Sequence, residues 1–561
     1  MSDTNTYDAI VVGSGISGGW AAKELSEKGL KTIVLERGRN VEHVKDYPTA
    51  MSESWDFKHR YRPTKEDKEI YYIQSQTGQF NEASKHWWVR DVDSPYQTPE
   101  EKPFTWIRGY HVGGRSIMWG RQSYRWSEMD FNANAKDGIG VPWPVSYDEI
   151  APWYDYVEQF AGISGQVEGL PQLPDGKFLP PMEMNCVENH VKEKIAENFN
   201  GRAMTIGRTA NLTVPHNGRG NCQYRSRCRR GCPYGAYFSS NAATLPAAAA
   251  TGNMTLRPNS IVHSIIYDEN KDKAVGVRVI DRETNEAMEF FARIIFLNAS
   301  TFGSVSILLN STTNRYSEGL GNASGTLGHY VMDHHFQVGA GGTFDDFADE
   351  YYYGRRPNGI YIPRFRNINE KHPDYIRGFG YQGGARRAGW NRGVGEKGFG
   401  ADFKDSLSTP GPWSMGMTGF GECLPYYDNM VSLNTEKTDK WGLPTLDVEV
   451  EFKENEMKMR KDMKESAAEM LEAAGARDIR MYERKPLPGM GIHEMGGAPM
   501  GNDPKTSMLN KFNQIHEVPN VFVTDGAFMN SAACQNPSLT YMAFTARAAE
   551  HAVSEMKKGN L

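Results

Sequence analysis

Two groups of residues in this chain have types and spacings suited to chemistry. The first is Gly13-Ser-Gly15-Ile-Ser-Gly18, which follows the β-branched run YDAIVV and precedes a helical stretch (Trp20, Ala21, Ala22, Leu25) that stops at Gly29. A second apolar run, KTIVLERG, then carries Glu36 at its end. Strand, glycine turn, helix, strand and acid, in that order, form a dinucleotide-binding unit. Gly13 permits the tight turn, and Gly15 lets the backbone approach a pyrophosphate. Gly18 lets the helix pack closely on the strand, so its N-terminus aims free N–H groups at phosphate. Glu36 is placed to accept hydrogen bonds from ribose hydroxyls. NAD and FAD share this unit, so by itself it leaves the dinucleotide open. The second group is Cys222, Cys228 and Cys232, a C-x5-C-x3-C pattern followed by Pro233. Thiolates so closely spaced can ligate iron or zinc. Three ligands suit a [3Fe–4S] cluster, whereas zinc lacks a nearby fourth ligand other than His216. Arg225, Arg227, Arg229 and Arg230 interleave with the thiols and would offset cluster charge and favour thiolates.

The elements that must position these residues follow from the rest of the chain. Its 561 residues suggest two or three domains with ample core. With 63 Lys+Arg against 69 Asp+Glu, a net charge of −6 gives no general reason to bind nucleic acid. Apolar content of 39% with 24% charged residues is that of a globular protein. No run approaches the ~18 apolar residues of a membrane span. The start, MSDTNTYDAIVVGSG, is acidic and enters a strand at once, unlike a secretory signal. Six cysteines do not make a disulfide scaffold.

Residues 40–105 are polar and aromatic-rich and read as long surface loops with short helices. Helices are expected over 146–162, 187–198 and 454–475, and strands over 253–297 and in several runs of 345–450. A final strand, VPNVFVTDG, leads through a turn to a closing helix. The fold class expected is α/β: a Rossmann-like, discontinuous dinucleotide domain with a sheet-rich α+β substrate domain. The dinucleotide domain is assigned residues 1–150, 220–330 and 490–561. The substrate domain and connecting segments take 151–219 and 331–489. An NAD site would be contained in one compact domain of about 150 residues. Here further cofactor-like motifs lie near residue 113 and in the last seventy residues, which weakens that reading.

The combination of the N-terminal fingerprint, GGRSIMW at 113–119, LGHYVMDHH at 327–335, HEMGGAPMG at 493–501 and DGAFMNSAACQNP at 525–537 resembles the glucose–methanol–choline (GMC) flavin oxidoreductases. Within them it is most similar to bacterial FAD-dependent sugar dehydrogenase subunits, those of gluconate, fructose and glucose dehydrogenases, and to glucoside 3-dehydrogenase. The resemblance implies FAD, held by Gly13, Gly15, Gly18, Glu36, Arg37, Gly113, Gly114, Ser116, Met118, Asp525, Gly526, Asn536 and Pro537. Pyranose oxidases carry a histidine, bonded covalently to the flavin, at the place of Met118. A thioether cannot make that link, so non-covalent FAD is implied. Asp333-His334-His335 matches a family motif and is read as structural.

His493 and Asn536 match the family's catalytic pair, which faces flavin N5. Their chemistry fits independently. Oxidising an alcohol requires a base for the O–H proton, and histidine, with an ordinary pKa of about 6.5, serves near neutral pH. The Asn536 amide can hydrogen-bond the substrate oxygen as alkoxide character develops. The segment CRRGCPYGAYF resembles the cluster-binding stretch of membrane-associated fructose and glucose dehydrogenases. The function implied is oxidation of a secondary sugar or glycoside hydroxyl, with C3 a candidate carbon, by hydride transfer to the flavin. Electrons would pass to a redox partner, through a small accessory subunit and a cytochrome-type acceptor. A sugar oxidase producing peroxide is the alternative, and a flavoprotein whose FAD is structural or serves a lyase has no need of the His493–Asn536 pair. Trp87, Trp88, Tyr351, Tyr352 and Tyr353 are candidates for a carbohydrate platform. Co-export with a partner that carries a signal leaves location open between cytoplasm and periplasm.

Overall fold

The computed structural model describes residues 5–350 and 356–561. Two sheets dominate it. The first is built on the strand Thr6–Val12, whose C-terminal half is buried on both faces, as a parallel strand between helical layers must be. It pairs in parallel with Thr32–Leu35 on one side and Ala287–Leu297 on the other, with Val12 opposite both Leu35 and Leu297. Met254–Arg257 and Val518–Val523 extend the parallel sheet at either side. An antiparallel meander, Ser260–Asp268 to Lys273–Asp281 to Ala287–Leu297, joins it. The helix Ile16–Glu27 packs against the closing helix Ser538–Lys558 and against Thr244–Ala250. Lysines in the last turn of the closing helix and a left-handed cap at Gly559 terminate it.

The second sheet is antiparallel, in the order Arg477–Glu483, His335–Phe344, Trp413–Gly421, Phe379–Arg387, Ile360–Ile362, Thr205–Ile206. Trp413–Gly421 alternates strictly between buried and half-buried positions, the period of a strand with one face on a core. That core is capped by the helix Glu454–Ala473, whose Met459, Met463 and Met470 are fully buried against it. The opposite face, carrying Gln382 and Phe420, looks onto a cavity shared with the first sheet.

The strand-like runs at 429–434 and 445–452 are strands of a ribbon apart from the large antiparallel sheet, with Met430–Thr438 paired to Pro444–Glu449. Residues 40–105 hold no strand but are more than surface loop. Phe80, Trp87, Trp88 and Phe104 are buried, so aromatic burial pins the segment against the nucleotide sheet. Tyr351, Tyr352 and Tyr353 lie outside the described residues. Among the described residues no helix is long and apolar enough to cross a membrane.

Candidate active site

The first sheet's strand ends form one wall of a cavity of about 590 Å³, and the second sheet's outer face forms another. At the fingerprint, a Cβ on Gly18 would lie 2.0 Å from the Gly13 carbonyl oxygen, so only glycine lets the helix start this close to the strand. Gly15, by contrast, faces open space: a Cβ there would meet nothing within 4 Å. Gly15 also caps the helix Ile16–Glu27 without any side-chain acceptor, leaving its first N–H groups for a ligand.

Ser14 ties this turn to the others. Its hydroxyl donates to Glu36 Oε2 at 2.5 Å and accepts from the Gly113 N–H at 3.0 Å. The Ser14 and Gly38 N–H groups also donate to Glu36, which burial nevertheless pushes above its usual carboxylate range. Gly113 sits at φ +85°, and a Cβ on it would overlap the Asn241 side chain. Ser116 closes the same turn by donating to the Gly113 carbonyl at 2.5 Å and accepting from the Ser240 N–H. Arg37 pairs with Asp439 of the ribbon at 2.9 Å. Asp525 accepts from the Ser304 hydroxyl and the Ala527 N–H, and burial pushes it up to about 6. Gly15, Glu36, Met118, His493, Asp525 and Asn536 all line the one cavity. The buried Tyr541 hydroxyl and Asn298 Oδ1, which line it too, have no partner among the described residues. An elongated dinucleotide with a pyrophosphate therefore fits the residues present.

His493 and Asn536 meet, as the family resemblance implies, with Asn536 Nδ2 3.2 Å from His493 Nε2. Each arrives from a different element. His493 lies in the loop after Arg477–Glu483, held by the Asp333 carboxylate, which accepts from the Gly489, Gly491 and His493 N–H groups at 2.8, 2.8 and 3.0 Å. Burial, with the Glu494 charge adding to it, pushes Asp333 up to about 7. Glu494 itself takes a two-pronged pair from Arg115, at 3.1 and 2.6 Å, which ties the HEMGG segment to the 113–119 turn. Asn536 stands just before Pro537, which caps the closing helix.

His334, read from its motif as structural, joins this pair. Its Nδ1 lies 2.7 Å from His493 Nδ1, while its Nε2 faces the carbonyls of Ala533 and Ala532 at 2.9 and 3.2 Å. Carbonyls only accept, so His334 Nε2 carries that ring's proton. Burial pushes His334 down to about 4, keeping it neutral, and its Nδ1 must then accept from His493 Nδ1–H. His493 is held well below its ordinary pKa by burial first, then by His334 and Arg115. Its Nε2 is consequently a lone pair facing the cavity, to which Asn536 donates. Gln382, from the second sheet, donates to Asn536 Oδ1 at 2.6 Å and completes the chain. Gln382 was also missed, because nothing local to it marks a site. Such an arrangement can accept a proton from, and donate a hydrogen bond to, one hydroxyl oxygen.

The cysteine expectation is not supported. Cys222, Cys228 and Cys232 are free, and among the described residues no group of three or more His, Cys, Asp or Glu is arranged to hold a metal ion. A [3Fe–4S] cluster does not fit these residues as they stand. Trp87 is packed in the core beside Tyr47 and is no platform, while Trp88 reaches the cavity wall.

Two GMC oxidoreductase family models match the chain, over residues 7–336 and 425–545. The 2-methyl-1,2-propanediol dehydrogenase of Mycolicibacterium austroafricanum is 28% identical over 579 residues, covering 97% of this chain and 94% of that protein. The fructose dehydrogenase large subunit of Gluconobacter japonicus is 24% identical over 571 residues, covering 100% of each. A mutant formate oxidase from Aspergillus oryzae RIB40 shares the fold, with a TM-score of 0.61 across 100% of both chains at 12% identity. With family models matching most of its length, the chain belongs to the GMC oxidoreductase family and is a flavin-dependent enzyme acting on alcohol or sugar hydroxyls.

Proposed function

We propose that this enzyme is a dehydrogenase that oxidises a secondary hydroxyl of a sugar or glycoside, the C3 hydroxyl being a candidate, and passes the electrons to a redox partner rather than to oxygen. The observation that carries the alcohol chemistry is the lone pair at His493 Nε2, fixed by His334 and flanked by the Asn536 amide. His493 Nε2 takes the hydroxyl proton. Asn536 Nδ2 donates to the same oxygen and stabilises it as charge builds there. Gly13, Gly15, Gly18, Glu36 and the 113–118 turn would hold FAD non-covalently, and FAD would supply the acceptor for the hydride from the carbinol carbon. The balance is an alcohol giving a ketone, with one proton left on the imidazole and two electrons and a proton leaving with the hydride.

Support for a sugar and for a protein acceptor comes from the motif pattern and from the fructose dehydrogenase large subunit among the relatives. In such an assembly a small accessory subunit and a cytochrome-type acceptor would complete the electron path. The test is anaerobic mixing of the holoenzyme with hexosides, free hexoses and small diols, followed by exposure to oxygen or to a ferricyanide-type acceptor. Bleaching by a hexoside, with reoxidation much faster by the artificial acceptor than by oxygen, is the expected result. Rapid reoxidation by oxygen with stoichiometric peroxide would make it an oxidase. Bleaching by diols alone would remove the sugar.

A further inference from the structure

The second sheet reaches the catalytic groups through two strands at once. His334, which holds His493, comes just before the strand His335–Phe344, and Phe336 follows it by two residues. Gln382, which holds Asn536, lies on Phe379–Arg387, where Gly380 pairs with Phe420 of Trp413–Gly421. Residues opposite each other in an antiparallel pair share a face, as do residues two apart on one strand. Phe420 and Gln382 therefore stand on the same face of the sheet as diagonal neighbours. Phe336 and Phe420 are stacked, with ring centroids 5.2 Å apart and planes at 19°. Both line the cavity together with Gln382, His493 and Asn536, and both are only half-buried.

A local irregularity brings Phe336 to this face. His335 is opposite Gly421 and Val338 is opposite Gly419, so two residues, Phe336 and Gln337, stand against Phe420 alone. A bulge of this kind bends the strand and re-aims a side chain. Gln337 takes φ 62°, a left-handed conformation that costs a non-glycine residue free energy. The buried Arg460 holds the bulge by donating from Nη1 to the Phe336 carbonyl at 2.9 Å, and the Arg484 N–H donates to the Gln337 carbonyl at 3.0 Å.

Half-buried phenyl rings on a cavity wall keep apolar area in water until a ligand covers it. They carry no hydrogen-bonding group, so a ligand gains most by laying C–H groups on them. We infer that Phe336 and Phe420 are specificity-determining residues: a platform for the C–H face of a six-membered ring, which turns the ring's hydroxyl-bearing edge to His493 and Asn536. This rests on the reading that the cavity oxidises a sugar hydroxyl. It narrows the substrate to cyclic forms, pyranosides above all. An open-chain polyol exposes hydroxyls all round and would lose their water against the rings without gaining a partner.

The experiment gives the holoenzyme, with an artificial acceptor, a methyl hexopyranoside and the alditol of the same hexose. The pyranoside should exceed the alditol by about tenfold in kcat/KM, the scale on which one apolar contact discriminates. Phe420→Ala should lower kcat/KM for the pyranoside about tenfold more than for the alditol, through KM rather than kcat. Phe420→Tyr, which keeps the ring face, should hold the pyranoside preference. Phe420→Leu, which keeps apolar bulk without a flat face, should lose most of it. Flavin content and Tm report whether each variant is folded; should Phe420→Ala lose its flavin, the tyrosine and leucine variants decide. Equal kcat/KM for the two substrates in the wild type, equal losses in Phe420→Ala, or a full preference in Phe420→Leu would overturn the platform.

If neither compound reduces the flavin, the sugar reading falls, and binding still decides the platform. Cyclohexanol, a ring of the same size with one hydroxyl, and 2-propanol are titrated against the flavin absorbance of the holoenzyme and of its Phe420→Ala variant. Saturation by cyclohexanol at about a tenth of the 2-propanol concentration, with that advantage lost in Phe420→Ala, supports the platform. Equal midpoints for the two alcohols, midpoints unmoved in the variant, or no saturable change overturns it.

Discussion

The Nδ1 atoms of His334 and His493 stand 2.7 Å apart, so a single proton lies between them, and the backbone decides whose it is. The carbonyls of Ala532 and Ala533 require the proton of His334 on its Nε2. His334 Nδ1 therefore accepts, His493 Nδ1 donates, His493 Nε2 is left basic, Asn536 turns its NH₂ toward it, and Gln382 donates to the amide oxygen. Two main-chain oxygens thus set the hydrogen-bond polarity of four side chains. The segment supplying them, just before Asn536, holds Ala533 in the left-handed region at φ 50°.

His493→Ala should reduce turnover by roughly 10²–10⁴ while FAD stays bound, the loss expected for a positioned base. Turnover and the flavin spectrum of the purified variant check this. A flavin-replete variant with near-normal turnover would take the base role away from His493.

His334 is a positioning residue, because it acts through His493. His334→Ala removes the acceptor at Nδ1 and lets His493 exchange tautomers, so kcat should fall by about tenfold, a cost of order one hydrogen bond, with little change in KM. His334→Gln can present a carbonyl oxygen to the same N–H and should recover part of kcat. Identical kcat in the two variants, or a loss confined to KM, would contradict the relay.

Gln382→Glu should be worse than Gln382→Ala. An ionised carboxylate cannot donate to Asn536 Oδ1 and would draw the amide's NH₂ toward itself, away from His493. Alanine leaves the amide oxygen unpartnered without reversing it. The expected order of kcat is wild type, Gln382→Ala, Gln382→Glu, measured under saturating substrate; the reverse order of the two variants would mean that Gln382 contacts substrate instead.

Acid should destabilise the fold between pH 6.5 and 4. Burial lowers His86 to about 3, His111 and His334 to about 4, and His493 well below 6.5. Groups whose folded pKa is depressed bind protons first in the unfolded chain, so their contribution is present above pH 6.5 and is lost as pH falls toward 4. Asp333 and Asp525, raised to about 7 and about 6, act in the opposite sense, because the folded chain holds their protons. Burial also lowers His43, His263, His335, His516 and His551 and raises Glu36, Asp130, Glu422 and Glu456, so nine histidines stand against six carboxylates and Tm measured from pH 7 to 4 should decline. A Tm that rises on acidification would show that the carboxylates dominate.

Much of the nucleotide site was legible in the sequence because its determinants are local. Gly13, Gly15, Gly18 and Glu36 occur within one strand–turn–helix–strand unit, and the contacts that require glycine there, such as Gly18 on the Gly13 carbonyl, span a few residues. His493 and Asn536 were legible as motif residues, each beside its own punctuation, Gly496-Gly497 and Pro537. The same reading misled at the cysteines, where close spacing suggested a cluster. Spacing fixes neither the direction of a thiol nor its burial, and the folded loop spends Arg225, Arg227 and Arg230 on the 49–61 segment instead.

By itself, then, the sequence determined the parallel nucleotide sheet, the glycine turns and which histidine and asparagine motifs to pair, since hydrophobic period and turn chemistry act over short range. Only the tertiary structure decided which nitrogen of His493 is basic and which way the Asn536 amide points. Those properties depend on His334, Gln382 and two backbone carbonyls that arrive from separate parts of the chain, and hydrogen-bond polarity is set by whatever partners the packing of the two sheets brings within reach.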